Sequence, residues 1–118
     1  MYRIVVSEDK TLIVIIFSGK ISSEQLVQLY KEIKEHVKLL KKSFNVLFDF
    51  SKIQRIDSHG YAILEGLEPI KEYAANNGMH KSAIKVSVEV MAEIILRHSD
   101  LLEGIYANAE EIKEFFNT

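Results

Sequence analysis

The chain has 118 residues, 47% of them hydrophobic and 27% charged, with five glycines and one proline, so it can bury one core and is too short to divide into two. That composition excludes disordered and collagen-like chains, and 15 basic against 17 acidic residues, a net charge of -2, leaves no electrostatic footprint for nucleic acid or an anionic membrane. There is no cysteine, which removes disulfides, thiolate metal sites and a cysteine nucleophile.

The longest apolar run, Leu12 to Phe17, falls far short of the roughly 20 residues that span a bilayer. Met1-Tyr2-Arg3-Ile4 lacks the shape of a signal peptide. The expectations are a single domain over residues 1–118, a cytoplasmic location and no membrane span.

Tyr2 to Ser7 and Thr11 to Ser18 are rich in Val, Ile and Phe and flank Glu8-Asp9-Lys10, which predicts an antiparallel hairpin closed by a polar turn. Leu12 to Phe17 does not alternate, a pattern that predicts an inner strand covered on both faces. Gly19 ends it. Ser22-Ser23-Glu24-Gln25 then offers a capping box, and Leu26, Tyr30, Ile33, Val37 and Leu40 form one apolar helical stripe. Lys38, Lys41 and Lys42 suit the negative end of that helix.

Phe44 to Phe50 predicts a third strand. Asp49, set between two phenylalanines, is costly there unless the strand-end loop or backbone amides satisfy it, so its role is structural. The stripe Ile63, Leu67, Ile70 and Ala74 predicts one helix, kinked at Pro69 and ended by Gly78. Ala83 to Val88 is a weaker fourth strand. Val90, Met91, Ile94 and Ile95 predict a short helix ending near Arg97-His98, and Gly104 to Ala107 a brief last strand. Asn108 and Glu111 form a second capping box before Ile112, Phe115 and Phe116. The order β-β-α-β-α-β-α-β-α implies an α/β fold with a mixed, mostly parallel sheet of four to five strands, helices covering at least one face.

The run Val46-Leu47-Phe48-Asp49-Phe50-Ser51-Lys52-Ile53-Gln54-Arg55-Ile56-Asp57-Ser58-His59-Gly60 resembles the signature of STAS domains, the sulphate-transporter and anti-sigma-factor-antagonist family. That signature is an apolar strand ending in Asp, a short polar link, then Asp-Ser-Ser-Gly or Asp-Ser-Thr-Gly opening a helix. The element order is similar over nearly the whole chain, which makes the expected fold STAS-like. The resemblance implies a non-catalytic module that docks a protein partner, an anti-sigma factor or a kinase, around the loop before the second helix. It also implies a phosphorylation switch at Ser58, preceded by Asp57. The chain departs from the pattern at His59, where a second Ser or Thr is usual, and at Tyr61, where a small or aliphatic residue is.

The candidate surface is therefore Gln54, Arg55, Asp57, Ser58, His59, Gly60 and Tyr61. A helix N-terminus favours an anion, so a phosphate on Ser58 has a ready site there, and its charge would repel an acidic partner. The alternative role for Asp57 or Ser58 is helix capping, which contributes about 1 kcal/mol. Asp57, Ser58 and His59 do not make a hydrolase triad, because consecutive side chains at a helix start point apart. His36, His80 and His98 share no ligand spacing with His59, so neither metal nor cofactor is expected, and they read as surface or helix-end residues. Two further readings stand beside partner docking. One is a small apolar ligand or lipid held in a cavity between helices and sheet, motivated by Tyr61, Tyr73, Phe115 and Phe116; the other is a homodimer.

Overall fold

The structure, a computed structural model, describes residues 1–55 and 58–118, apart from the side chains of Ser58 and His59. Ile56 and Asp57 lie outside the described residues. Strands β1 (Tyr2–Val6) and β2 (Leu12–Phe17) pair antiparallel. The turn between them carries Lys10 at φ 62°, and the Asp9 carboxylate holds it by accepting from Ser7 Oγ at 2.7 Å, Thr11 Oγ1 at 2.6 Å and Thr11 N at 3.1 Å.

Helix α1 (Ser23–Val37) opens with the expected capping box: Ser22 Oγ accepts from Gln25 N at 3.1 Å and Gln25 Oε1 accepts from Ser22 N at 3.1 Å. Strand β3 (Phe44–Asp49), β4 (Met79–Lys85) and β5 (Ile105–Tyr106) then add parallel to β2, giving the spatial order β1-β2-β3-β4-β5. Helix α4 (Val88–Arg97) links β4 to β5, with a short 3-10 turn at Ser99–Leu101, and α5 (Ala109–Phe116) follows β5.

One expected helix is two. α2 (Ser58–Glu65) stops and α3 (Glu68–Ala75) starts within three residues, and Pro69 sits in the first turn of α3 rather than kinking a continuous helix. Proline has no N–H, and the first turn of a helix has no carbonyl to receive one, so a restart accommodates it better than a kink does. Gly78 closes the α3–β4 connection at φ +106°, where an added Cβ would meet Lys42 O at 2.3 Å. The glycine is required twice over, by backbone conformation and by close approach.

The boundaries of the late elements also differ from expectation. β4 starts at Met79 and ends at Lys85, and Val88 belongs to α4. Ser87 decides this boundary by capping α4, its hydroxyl accepting from Val90 N at 3.1 Å. Asn108 caps α5 through Glu110 N at 2.7 Å.

The core lies on one face of the sheet. Ile13, Ile15 and Phe17 of β2 and Phe44, Val46 and Phe48 of β3 pack with Leu29 and Ile33 of α1, Ile63 and Leu64 of α2, Ile70 and Ala74 of α3, and Val90 and Ile94 of α4. Truncating a buried phenylalanine of this set to alanine costs about 3–5 kcal/mol. The opposite face of β2 is not sealed as expected: Leu12, Val14 and Ile16 are only half-buried, because α5 packs over β4 and β5. Ile112 of α5 and Ala83 of β4 are buried outside the main core. An unbroken apolar strand here reflects one sealed face and one partly open one.

Candidate functional site

Strand β3 delivers the chain to the site and its end is fixed in three places. Asp49 accepts from Ser51 N at 2.9 Å and Ser51 Oγ at 2.6 Å, the structural role its apolar setting predicts. Phe50 stacks on Phe17 with ring centroids 4.2 Å apart and planes 3° from parallel. Ile53 N donates to Phe50 O at 2.9 Å, and Ser87 Oγ donates to Ile53 O at 3.3 Å. Ser87 thus serves both the start of α4 and the end of this loop.

Beyond that anchor Gln54 and Arg55 are exposed, and with Glu89, Val90 and Glu93 of α4 they line a cleft of about 490 Å³. Glu93 pairs with Arg97 at 3.2 Å on the exposed side of α4. α2 begins at Ser58, consistent with the helix start read from the sequence. The candidates Asp57 and the side chains of Ser58 and His59 lie outside the described residues. Gly60 is half-buried in the first turn.

Tyr61 points to α4: its ring lies on the His98 ring, centroids 3.8 Å apart and tilted 37°. Its hydroxyl is buried without a hydrogen-bond partner among the described residues. Burial pushes its pKa up, the Glu93 carboxylate adds to the effect and Arg97 opposes it. The structure therefore brings Gln54, Arg55 and Tyr61 against α4, with Gly60 in the turn that leads to Tyr61.

α4 contributes what sequence reasoning did not assign to this surface. Glu89, Glu93 and Leu96 share one side of the helix by their spacing, with Leu96 79% exposed, whereas Val88 and Ile95, 71% and 54% exposed, fall on another side. Of the four apolar positions that predict this helix, Val90 and Ile94 are buried, Met91 is half-buried and Ile95 is exposed. The signal was in the sequence, since Val88, Ile95 and Leu96 fall outside the arc that Val90 and Ile94 define.

The remaining candidates separate. His36 is bound through Nδ1 to Glu32 O at 2.9 Å near the end of α1, and His80 is exposed on β4. Among the described residues no three His, Asp or Glu side chains gather to hold a metal. Ile63 and Leu64 of α2 are part of the core, in the region where an apolar cavity was one expectation. Tyr73 packs against Tyr30, centroids 5.9 Å apart, under Lys34. Phe115 and Phe116 lie outside the main core, half-buried beside the open sheet face.

The element order, sheet topology and strand-to-helix junction can be set beside known structures. The chain matches the structure of the anti-sigma factor antagonist SpoIIAA in its unphosphorylated form at TM-score 0.62 and 16% identity, over 99% of this chain and 96% of the other. The chain has the STAS fold. The Bacillus cell fate determinant SpoIIAA in the phosphorylated form matches at TM-score 0.57 and 14% identity, over 98% and 99% of the two chains. No protein-family model and no curated protein matches the sequence. At these identities the likeness is one of fold, and within the STAS fold the Asp57-Ser58-His59-Gly60 motif falls where β3 hands over to α2. No helix among the described residues is long and apolar enough to cross a membrane.

Proposed function

We propose that this chain is a non-catalytic regulatory module of the anti-sigma-factor-antagonist type, which docks a protein partner on the surface formed by the β3–α2 junction and α4. The observation that carries the reading is a STAS fold over the full chain with a serine at the first position of α2. Gln54 and Arg55, just before that helix, are exposed and line a cleft with Glu89 and Glu93 of α4, and exposed Leu96 shares the side of α4 that carries those two carboxylates. Apolar side chains flanked by charges of both signs suit a protein partner, the apolar part supplying contact area and the charges the register.

Ser58 is the proposed switch. A phosphate there would bring roughly -1.5 to -2 charges to a surface that already holds Glu89 and Glu93, and would weaken an acidic or apolar partner's hold. Two structures of SpoIIAA with this fold, one unphosphorylated and one phosphorylated, support the reading by analogy.

The test is affinity isolation of the tagged full chain from its own cells, comparing wild type, Ser58→Ala, Ser58→Asp and Arg55→Glu. A shared partner retained by wild type and Ser58→Ala and released by Ser58→Asp and Arg55→Glu is the expected result. Equal retention by all four chains overturns it.

A further inference from the structure

On the face of the sheet away from the core, α5 leaves a groove of about 570 Å³ between itself and strands β2 and β3. Its walls include Leu12 of β2, Leu47 of β3, and Ile112 and Phe116 of α5, with His80 and Lys113 at the rim. From the geometry we infer that this groove binds the hydrocarbon chain of an anionic amphiphile, a medium- or long-chain carboxylate, with the head group at Lys113 and His80.

The apolar part of the argument is geometric. Rows across the sheet place Leu12 beside Asn45, and Val14 beside Leu47, so Leu12, Val14 and Leu47 share the face that α5 only partly covers. All three are half-buried and none belongs to the main core. The space lies within the roughly 300–1,000 Å³ typical of small-molecule sites.

Charge identifies the head group. Among the described residues no carboxylate is part of the groove's lining, although acidic residues outnumber basic ones in the chain; the Asp9 carboxylate behind Thr11 is taken up by hydrogen bonds from Ser7 and Thr11. α5 turns Ala109, Ile112, Lys113 and Phe116 inward, which by helical spacing sends Glu110, Glu111 and Glu114 elsewhere. Lys113 and His80 are exposed and form no ion pair among the described residues, so an anion reaches them directly. Lys81 is committed otherwise: its Nζ donates to Phe115 O at 2.6 Å and Thr118 Oγ1 at 2.5 Å and fixes the end of α5. A second copy of this chain is the poorer occupant, because a two-fold contact over the groove would offer Lys113 and His80 no carboxylate from the groove's own lining.

The inference concerns the opposite side of the sheet from the proposed partner surface and stands independently of it. Its test is a titration of the isotopically labelled full chain with dodecanoate below its self-association concentration, followed by amide NMR. Dodecyltrimethylammonium and an acidic amphipathic peptide are titrated in parallel. Saturable shifts at Leu12, Leu47, Ile112 and Phe116 with dodecanoate are expected, weakened about tenfold by Lys113→Glu, the scale of one charge-assisted contact. Lys38→Glu, at the exposed C-terminal end of α1, should change nothing in the binding. Lys113→Gln repeats the test with a neutral side chain. Absence of saturable shifts, equal binding of the cationic amphiphile, indifference to both Lys113 variants, or a response to the peptide alone overturns the proposal.

Discussion

The Tyr61 ring rests on the His98 ring with centroids 3.8 Å apart, which packs the first turn of α2 against the C-terminal end of α4. That contact makes the two sides of the proposed partner surface one unit. Tyr61→Phe keeps the ring and removes a buried hydroxyl that has no partner among the described residues. It should leave stability unchanged or raise it by up to about 1 kcal/mol. Tyr61→Ala should lower it by about 1–3 kcal/mol. Urea unfolding measures both, and a clear loss for the phenylalanine variant would mean that the hydroxyl is satisfied.

Two glycines separate conformational strain from steric conflict. Gly19 has φ +64° and nothing within 4 Å of a built Cβ, whereas Gly78 has φ +106° and would place that atom 2.3 Å from Lys42 O. Gly19→Ala should cost about 1–2 kcal/mol. Gly78→Ala should cost about 2–4 kcal/mol, since the backbone of the α1–β3 connection must also move. Equal costs in denaturant unfolding would show that Lys42 yields freely.

Acid should loosen the β1–β2 turn late. Hydrogen bonds from Thr11 and Ser7 lower the Asp9 pKa from 3.8 to about 2. A depressed carboxylate contributes stability that is complete above its unfolded pKa and fades as pH falls toward its folded one. The stability difference between wild type and Asp9→Ala should therefore hold at neutral pH, shrink between about pH 4 and pH 2, and vanish below. A difference independent of pH would contradict this assignment.

Much of the fold was legible because its signals are local. The Ser22–Gln25 capping box, the Asp9 turn and Gly78 each specify one conformation by chemistry within a few residues. Asp49 was legible as structural for the same reason, since Ser51 lies two residues away. The split at Pro69 was missed because an apolar stripe runs through both α2 and α3, and only a loss of helical backbone between Glu65 and Glu68 distinguishes them. The open face of β2 was missed because an apolar run states that side chains avoid water, without saying how much of each face a distant helix covers. The part played by α4 in the candidate surface is tertiary: nothing local in Val88 to Leu96 says that Gln54 and Arg55 lie across a cleft from Glu89 and Glu93.

The proposed phosphorylation switch at Ser58 is tested most sharply by phosphosite mapping of the full chain isolated from its own cells, in free and partner-bound fractions. Phosphate on Ser58 in the free fraction and unmodified Ser58 in the bound one are expected. Partner-bound chain carrying the same phosphate at Ser58, or no phosphate at Ser58 in either fraction while partner binding still varies, would contradict it.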